Sequence, residues 1–160
     1  MPSLRLKPYT LLILLLAPAT LLAELSLPHF FSNNMVLQRD REVSIWGKAD
    51  PGANVTVNFK GRQVNVWAKT DGNWNAVIDS GPADSNGANL SVSNGQERTT
   101  LENVLVGEVW LASGQSNMAF AMRSVPAYAD IVANSAQPNI RMFNAPTVTA
   151  VEPQYDIDGE

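Results

Sequence analysis

The chain has 160 residues, of which 45% are hydrophobic and 16% charged, with a formal net charge of -4 at pH 7. That apolar content supports a folded core, and the basic residues are scattered without the stripe that phosphate contacts require, so nucleic acid is not an expected partner. The absence of cysteine removes disulfides, thiolate metal sites and thiol lipidation from consideration.

Residues 1–23 read as a secretory signal peptide: Arg5 and Lys7 precede the apolar run Leu11 to Leu16, and Leu21-Leu22 follows a softer Ala17-Pro18-Ala19 stretch. Cleavage fits after Ala19, where Ala17 and Ala19 satisfy the small-x-small rule, or after Ala23. An uncleaved anchor is the rival reading. Pro18 interrupts the run, however, and its length falls short of the roughly 20 apolar residues that span a bilayer, so stable membrane insertion is not expected. The expected location is secreted or periplasmic. A cysteine-free exported chain suits a bacterial source.

From Met35 to about Val104 apolar residues alternate with polar ones in short sets: Val43 and Ile45; Val55, Val57 and Phe59; Val64, Val66 and Ala68; Trp74, Ala76 and Ile78; Leu90 and Val92. Period two places each set on one face of a strand. Asp50-Pro51-Gly52, Asp71-Gly72, Gly81-Pro82 and Asn94-Gly95 supply turns, with Asp71-Gly72 expected to close a hairpin between the third and fourth sets. Strands this short, punctuated this often, predict an antiparallel β-sandwich over 24–104.

The pattern changes after Val104. Leu105, Val106, Val109, Trp110 and Leu111 make a denser run, as in a strand buried on both faces. A polar turn at Ser113 to Asn117 follows, then helical spacing at Tyr128, Ile131, Val132 and Ser135. Pro126 prevents one continuous helix from Asn117. Ile140 to Phe143 is expected as a second strand, giving a right-handed βαβ unit in 105–160. Two strands and a helix bury too little to stand alone, so 105–160 is expected to open a larger α/β domain, and the chain to be the amino-terminal portion of a longer polypeptide.

Ser116 sits in Gly114-Gln115-Ser116-Asn117-Met118, at the carboxyl end of the expected buried strand. Open α/β sheets place their chemistry there, and Gly-x-Ser opens the nucleophile elbow, although its closing glycine is missing. A serine hydroxyl is a weak nucleophile until a base takes its proton. The rival reading is that Ser113, Ser116 or Asn117 caps the next helix. The two are compatible, because a serine at a helix start can also offer its own amide to an oxyanion.

Three stretches carry a family resemblance. They are Leu27-Pro28 with Phe31-Ser32-Asn33-Asn34-Met35-Val36-Leu37-Gln38-Arg39; Ile45-Trp46-Gly47-Lys48-Ala49 with Pro51-Gly52; and Val106-Gly107-Glu108-Val109-Trp110-Leu111-Ala112-Ser113-Gly114-Gln115-Ser116-Asn117-Met118. Gly72-Asn73-Trp74 and Ile140-Arg141-Met142-Phe143 add to them. With these, the chain resembles the sialate O-acetylesterase family of the SGNH-type hydrolase group. The resemblance implies removal of acetyl groups from sugar hydroxyls, with Ser116 as the nucleophile of an acetyl-enzyme, its amide as a possible oxyanion donor, and no cofactor or metal. It also implies a β module ahead of a truncated SGNH-type α/β domain, whose base histidine and aspartate belong to a block near the carboxyl end that these 160 residues do not contain. Gln115 stands where many relatives of the wider group have aspartate, and neither it nor Asn117 is assigned a role.

Other residues invite functions that the spacing does not support. His29 is the only histidine, but it precedes the β module and the family motif does not require it, so a surface or domain-junction role is expected. Trp46, Trp67, Trp74 and Trp110 could stack on sugars, yet core packing is the commoner use of tryptophan. Asp130, Asp156 and Asp158 lack the spacing of a calcium loop. The alternative to an esterase is an exported β-sandwich that binds glycans without catalysis.

Overall fold

The computed structural model describes residues 24–157 and 159; the signal-peptide reading lies outside the described residues. Seven strands run in chain order: β1 (Val36–Gln38), β2 (Glu42–Lys48), β3 (Asn54–Phe59), β4 (Arg62–Trp67), β5 (Asn73–Asp79), β6 (Asp84–Ser93) and β7 (Arg98–Gly107). They form a five-stranded sheet ordered β1-β7-β6-β3-β4 and a two-stranded sheet of β2 and β5. Every pairing is antiparallel except that of β1 with β7, which is parallel.

The alternating sets become the inward faces of both sheets. Ile45, Ala76 and Ile78 from the small sheet share one core with Val55, Val57, Phe59, Leu90, Val92 and Val104 from the large one. Full burial of each large aliphatic or aromatic side chain contributes roughly 1.5–3 kcal/mol. Packing of this kind holds the strands in a chain without disulfides. The Trp-Gly pair of β2 has a steric cause: a Cβ on Gly47 would stand 2.1 Å from the Ser26 carbonyl oxygen and 2.7 Å from the Trp74 ring. Trp74 is only 3% exposed, as core packing requires, whereas Trp67 is 69% exposed.

The turns hold one surprise. Asn94-Gly95 does close the β6–β7 hairpin, and Asp50-Pro51-Gly52 turns between β2 and β3 with Gly52 at φ 78°. Asp71-Gly72 does not close a hairpin, because β4 pairs with β3 and β5 with β2. It carries the chain from one sheet to the other. The tight hairpin is at Lys60-Gly61, where both residues have positive φ, the geometry of a type I′ turn.

The expected βαβ unit is absent from the described residues. Val104 to Gly107 belong to β7, which pairs antiparallel with β6 and parallel with β1. Beyond Gly107 the chain leaves the sheet, and Trp110 and Leu111 are 85% and 94% exposed. The cause is backbone pairing: β1 ends at Gln38, where Arg39 and Asp40 turn towards Gly81 through the Asp40 N–H to Gly81 carbonyl bond of 2.7 Å. A strand over 109–111 therefore has no neighbouring strand among the described residues. Ile140 to Phe143 form no strand. Of the helical stretch expected over Tyr128 to Ser135, α1 (Ala129–Ala133) forms, and 3₁₀ turns at Ser116–Ala119, Met122–Ser124 and Pro126–Tyr128 precede it.

The Lys60 ammonium at the β3–β4 hairpin bonds the Asp84 carboxylate at the start of β6. This bond, helped by the Asn86 N–H, lowers Asp84 from 3.8 to about 2. A depressed carboxylate stabilises the fold fully above its unfolded pKa, and that contribution is lost as pH falls towards its folded one. Stability of the wild-type chain, followed by denaturant midpoint, is expected to drop between pH 4 and pH 2. Asp84→Asn should show a lower midpoint at pH 6 and a shallower drop over that window. Parallel curves for the two proteins would contradict this.

Candidate functional site

Ser116 lies in the stretch that leaves the sheet. β7 delivers the chain at Gly107, and the Gln38 side chain then holds it: Gln38 Oε1 accepts the Val109 N–H at 2.8 Å, and Gln38 Nε2 donates to Glu108 at 3.0 Å. The following residues extend to Gln115, whose φ of -100° and ψ of -156° turn the chain into the 3₁₀ turn that Ser116 opens. The Met118 N–H closes that turn on the Gln115 carbonyl at 2.9 Å.

Ser116 is exposed. The cap position of its turn is Gln115, which makes no side-chain cap bond, and Ser116 is the first residue inside the turn. At the first position of the turn its N–H is also outside the internal bonding pattern. Hydroxyl and amide are thus presented together. A single helical turn lends little dipole.

His29 lies in the loop ahead of β1. Its ring Nδ1 lies 2.8 Å from Asp156 Oδ2, and its backbone N–H donates to Asp156 Oδ1 at 2.8 Å. Burial opposes ionisation of the Asp156 carboxyl, but the Ile157 N–H and both His29 contacts outweigh it and hold the group below the usual carboxylate range. The pair joins the loop ahead of β1 to residues near Asp156. Asp130 lies in α1, and Asp158 is outside the described residues. No group of three or more potential metal ligands occurs among the described residues.

The same junction carries contacts that sequence analysis did not anticipate. Phe143 meets Phe30 edge-on at 5.8 Å between centroids, Phe30 stacks on Trp46, and Phe31 meets Trp46 edge-on at 4.6 Å. Lys48 Nζ sits 4.9 Å from the centre of the Tyr155 ring. An open depression of about 440 Å³ lies on the β2–β5 sheet between Trp46, Trp74, Asn73, Asn75 and Tyr155, and Ser116 does not line it. Among the described residues no helix is long and apolar enough to cross a membrane.

No protein-family model matches the chain. Rat sialate O-acetylesterase (Rattus norvegicus) is 29% identical over 143 residues, which cover 81% of this chain and 26% of the rat protein. The human sialate O-acetylesterase is 27% identical over 140 residues, covering 80% of this chain and 27% of the human protein. A crystal structure of a carbohydrate acetylesterase from Xanthomonas citri superposes with a TM-score of 0.79 at 31% identity, covering 86% of this chain and 32% of that one. The chain is thus similar in sequence to sialate O-acetylesterases and in fold to a carbohydrate acetylesterase. The chain spans about a quarter of the length of the curated relatives it matches.

Proposed function

We propose that these residues are the amino-terminal part of an exported carbohydrate O-acetylesterase of the sialate type. In this reading a β-sandwich accessory module runs through Gly107, and the SGNH-type hydrolase domain opens with the Ser116 stretch. The observation that carries it is the placement of Ser116: an exposed hydroxyl and amide at the start of a helical turn, where the chain has just left the sheet. The names of the relatives give the chemistry.

Ser116 Oγ attacks the acetyl carbonyl carbon while a base takes its proton. The carbonyl oxygen becomes an oxyanion, received in part by the Ser116 N–H; loss of one such donor typically costs roughly 3 kcal/mol of transition-state stabilisation. The bond to the sugar oxygen then breaks, the base returns the proton to that oxygen, and an acetyl-enzyme remains. Water, deprotonated by the same base, releases acetate. The family resemblance implies a base histidine and its aspartate in a block near the carboxyl end, so in this reading both belong to sequence outside these residues, and His29 with Asp156 is a tie between two segments. The 160-residue chain alone is then nearly inactive.

In a polypeptide extended through the family's histidine block, Ser116→Ala should lower turnover of an acetylated sugar by about a thousandfold or more. His29→Ala should change it less than about threefold. A fall of roughly 100-fold or more in His29→Ala, as for a lost general base, would make His29 the base and overturn the assignment.

A second reading, glycan binding by the β module without catalysis, is favoured by the aromatic and amide lining of the depression on β2 and β5. It predicts calorimetric binding of a neutral oligosaccharide by the 160-residue chain that Trp46→Ala abolishes. No heat from the wild-type chain would count against it.

A further inference from the structure

Two stretches that the catalytic reading leaves without a role, Asn33-Asn34-Met35 and Ile140-Arg141-Met142-Phe143, meet in space. Asn33 Oδ1 accepts the Glu102 N–H at 2.8 Å, the Asn34 N–H donates to the Glu102 carbonyl at 2.9 Å, and Asn103 Nδ2 donates to Asn34 Oδ1 at 2.7 Å. Asn34 and Asn103 both adopt left-handed conformations, with φ of 67° and 56°. Asparagine tolerates that region better than most residues. This cross-brace between the start of β1 and the middle of β7 turns the Asn34 and Asn103 carbonyls towards a common point.

Arg141 Nη1 occupies that point. It donates to the Asn34 carbonyl at 2.8 Å and to the Asn103 carbonyl, with the Met35 carbonyl at 3.4 Å as a weaker third acceptor. One nitrogen carries two N–H groups, which matches the two near acceptors. The charge is received by backbone dipoles, and a guanidinium keeps it at any working pH.

The position of this socket gives it consequence. β1 is three residues long. At one end Gln38 holds the Val109 N–H, and at the other Asn34 and Met35 hold Arg141. The stretch carrying Ser116 leaves the β module at the first anchor and returns at the second. Phe143 against Phe30 and Asp156 against His29 extend the second anchor along the same loop.

We propose that Arg141 is a positioning residue: its guanidinium, seated in the carbonyl socket of Asn34 and Asn103, locks the Ser116 stretch to the β module. The module is then a fixed wall of the catalytic frame and not a tethered appendage. The socket stands on its own geometry; only its catalytic consequence rests on the esterase reading.

The test is hydrogen exchange of the 160-residue chain, comparing wild type, Arg141→Lys and Arg141→Ala, with methylguanidinium or methylammonium added to the alanine variant. Arg141→Ala should speed exchange of the Asn34 and Glu102 amides by about tenfold or more, while β3 and β5 stay as protected as in wild type. Methylguanidinium should restore protection, methylammonium should not, and Arg141→Lys should restore it in part. Unchanged exchange in Arg141→Ala, or equal rescue by both cations, overturns the socket. In the extended polypeptide, Arg141→Ala should lower kcat with KM little changed, and methylguanidinium should recover kcat. Intact kcat alongside lost protection overturns the catalytic consequence. Absence of turnover in the extended wild type would sink the esterase reading, and exchange would still decide the socket.

Discussion

Backbone pairing between β1 and β7 ends at Gln38 and Gly107, and the rest of the molecule is arranged around that limit. Up to it, each strand finds a neighbour for its amides and carbonyls, and the inward side chains share one core. Past it, the apolar stretch finds no partner strand among the described residues, and its side chains are exposed there, Ser116 with them. Gln38 and Arg141 compensate by supplying side-chain bonds where the sheet supplies none.

Much of the β module was legible in the sequence because its alternation reports a local property. A residue on a half-buried strand must be apolar at every second position, and the sets around Ile45, Val57, Ala76 and Leu90 all became inward faces. Pairing is not local. Asp71-Gly72 has turn chemistry whether it closes a hairpin or crosses between sheets, and only the partners of β4 and β5 decide which. The Lys60-Gly61 hairpin escaped because lysine is an unusual first residue for a positive-φ turn; glycine was the signal available.

The stretch after Val104 was read as a strand for a similar reason. Its composition fits a strand buried on both faces, but composition does not supply the neighbours that burial needs. β7 took the first part into the antiparallel sheet, and the remainder of the expected strand lies outside the sheet and is exposed. The Ser116 turn was found from sequence because glycine, serine and the preceding apolar run mark it. The Arg141 socket was not, because its acceptors are main-chain carbonyls, and no residue type announces them.

In the proposed reading Ser116 is a nucleophile presented by a stretch anchored to the β module and activated by a base from outside these residues. Peptide-mapped mass spectrometry after treatment with a phosphonate ester probes it most directly, because such reagents label an activated serine and leave ordinary hydroxyls unmodified. In a polypeptide extended through the histidine block the label should fall on Ser116, and in the 160-residue chain Ser116 should remain unlabelled. Labelling of another serine in the extended polypeptide, or equal labelling of Ser116 in both, would contradict the account.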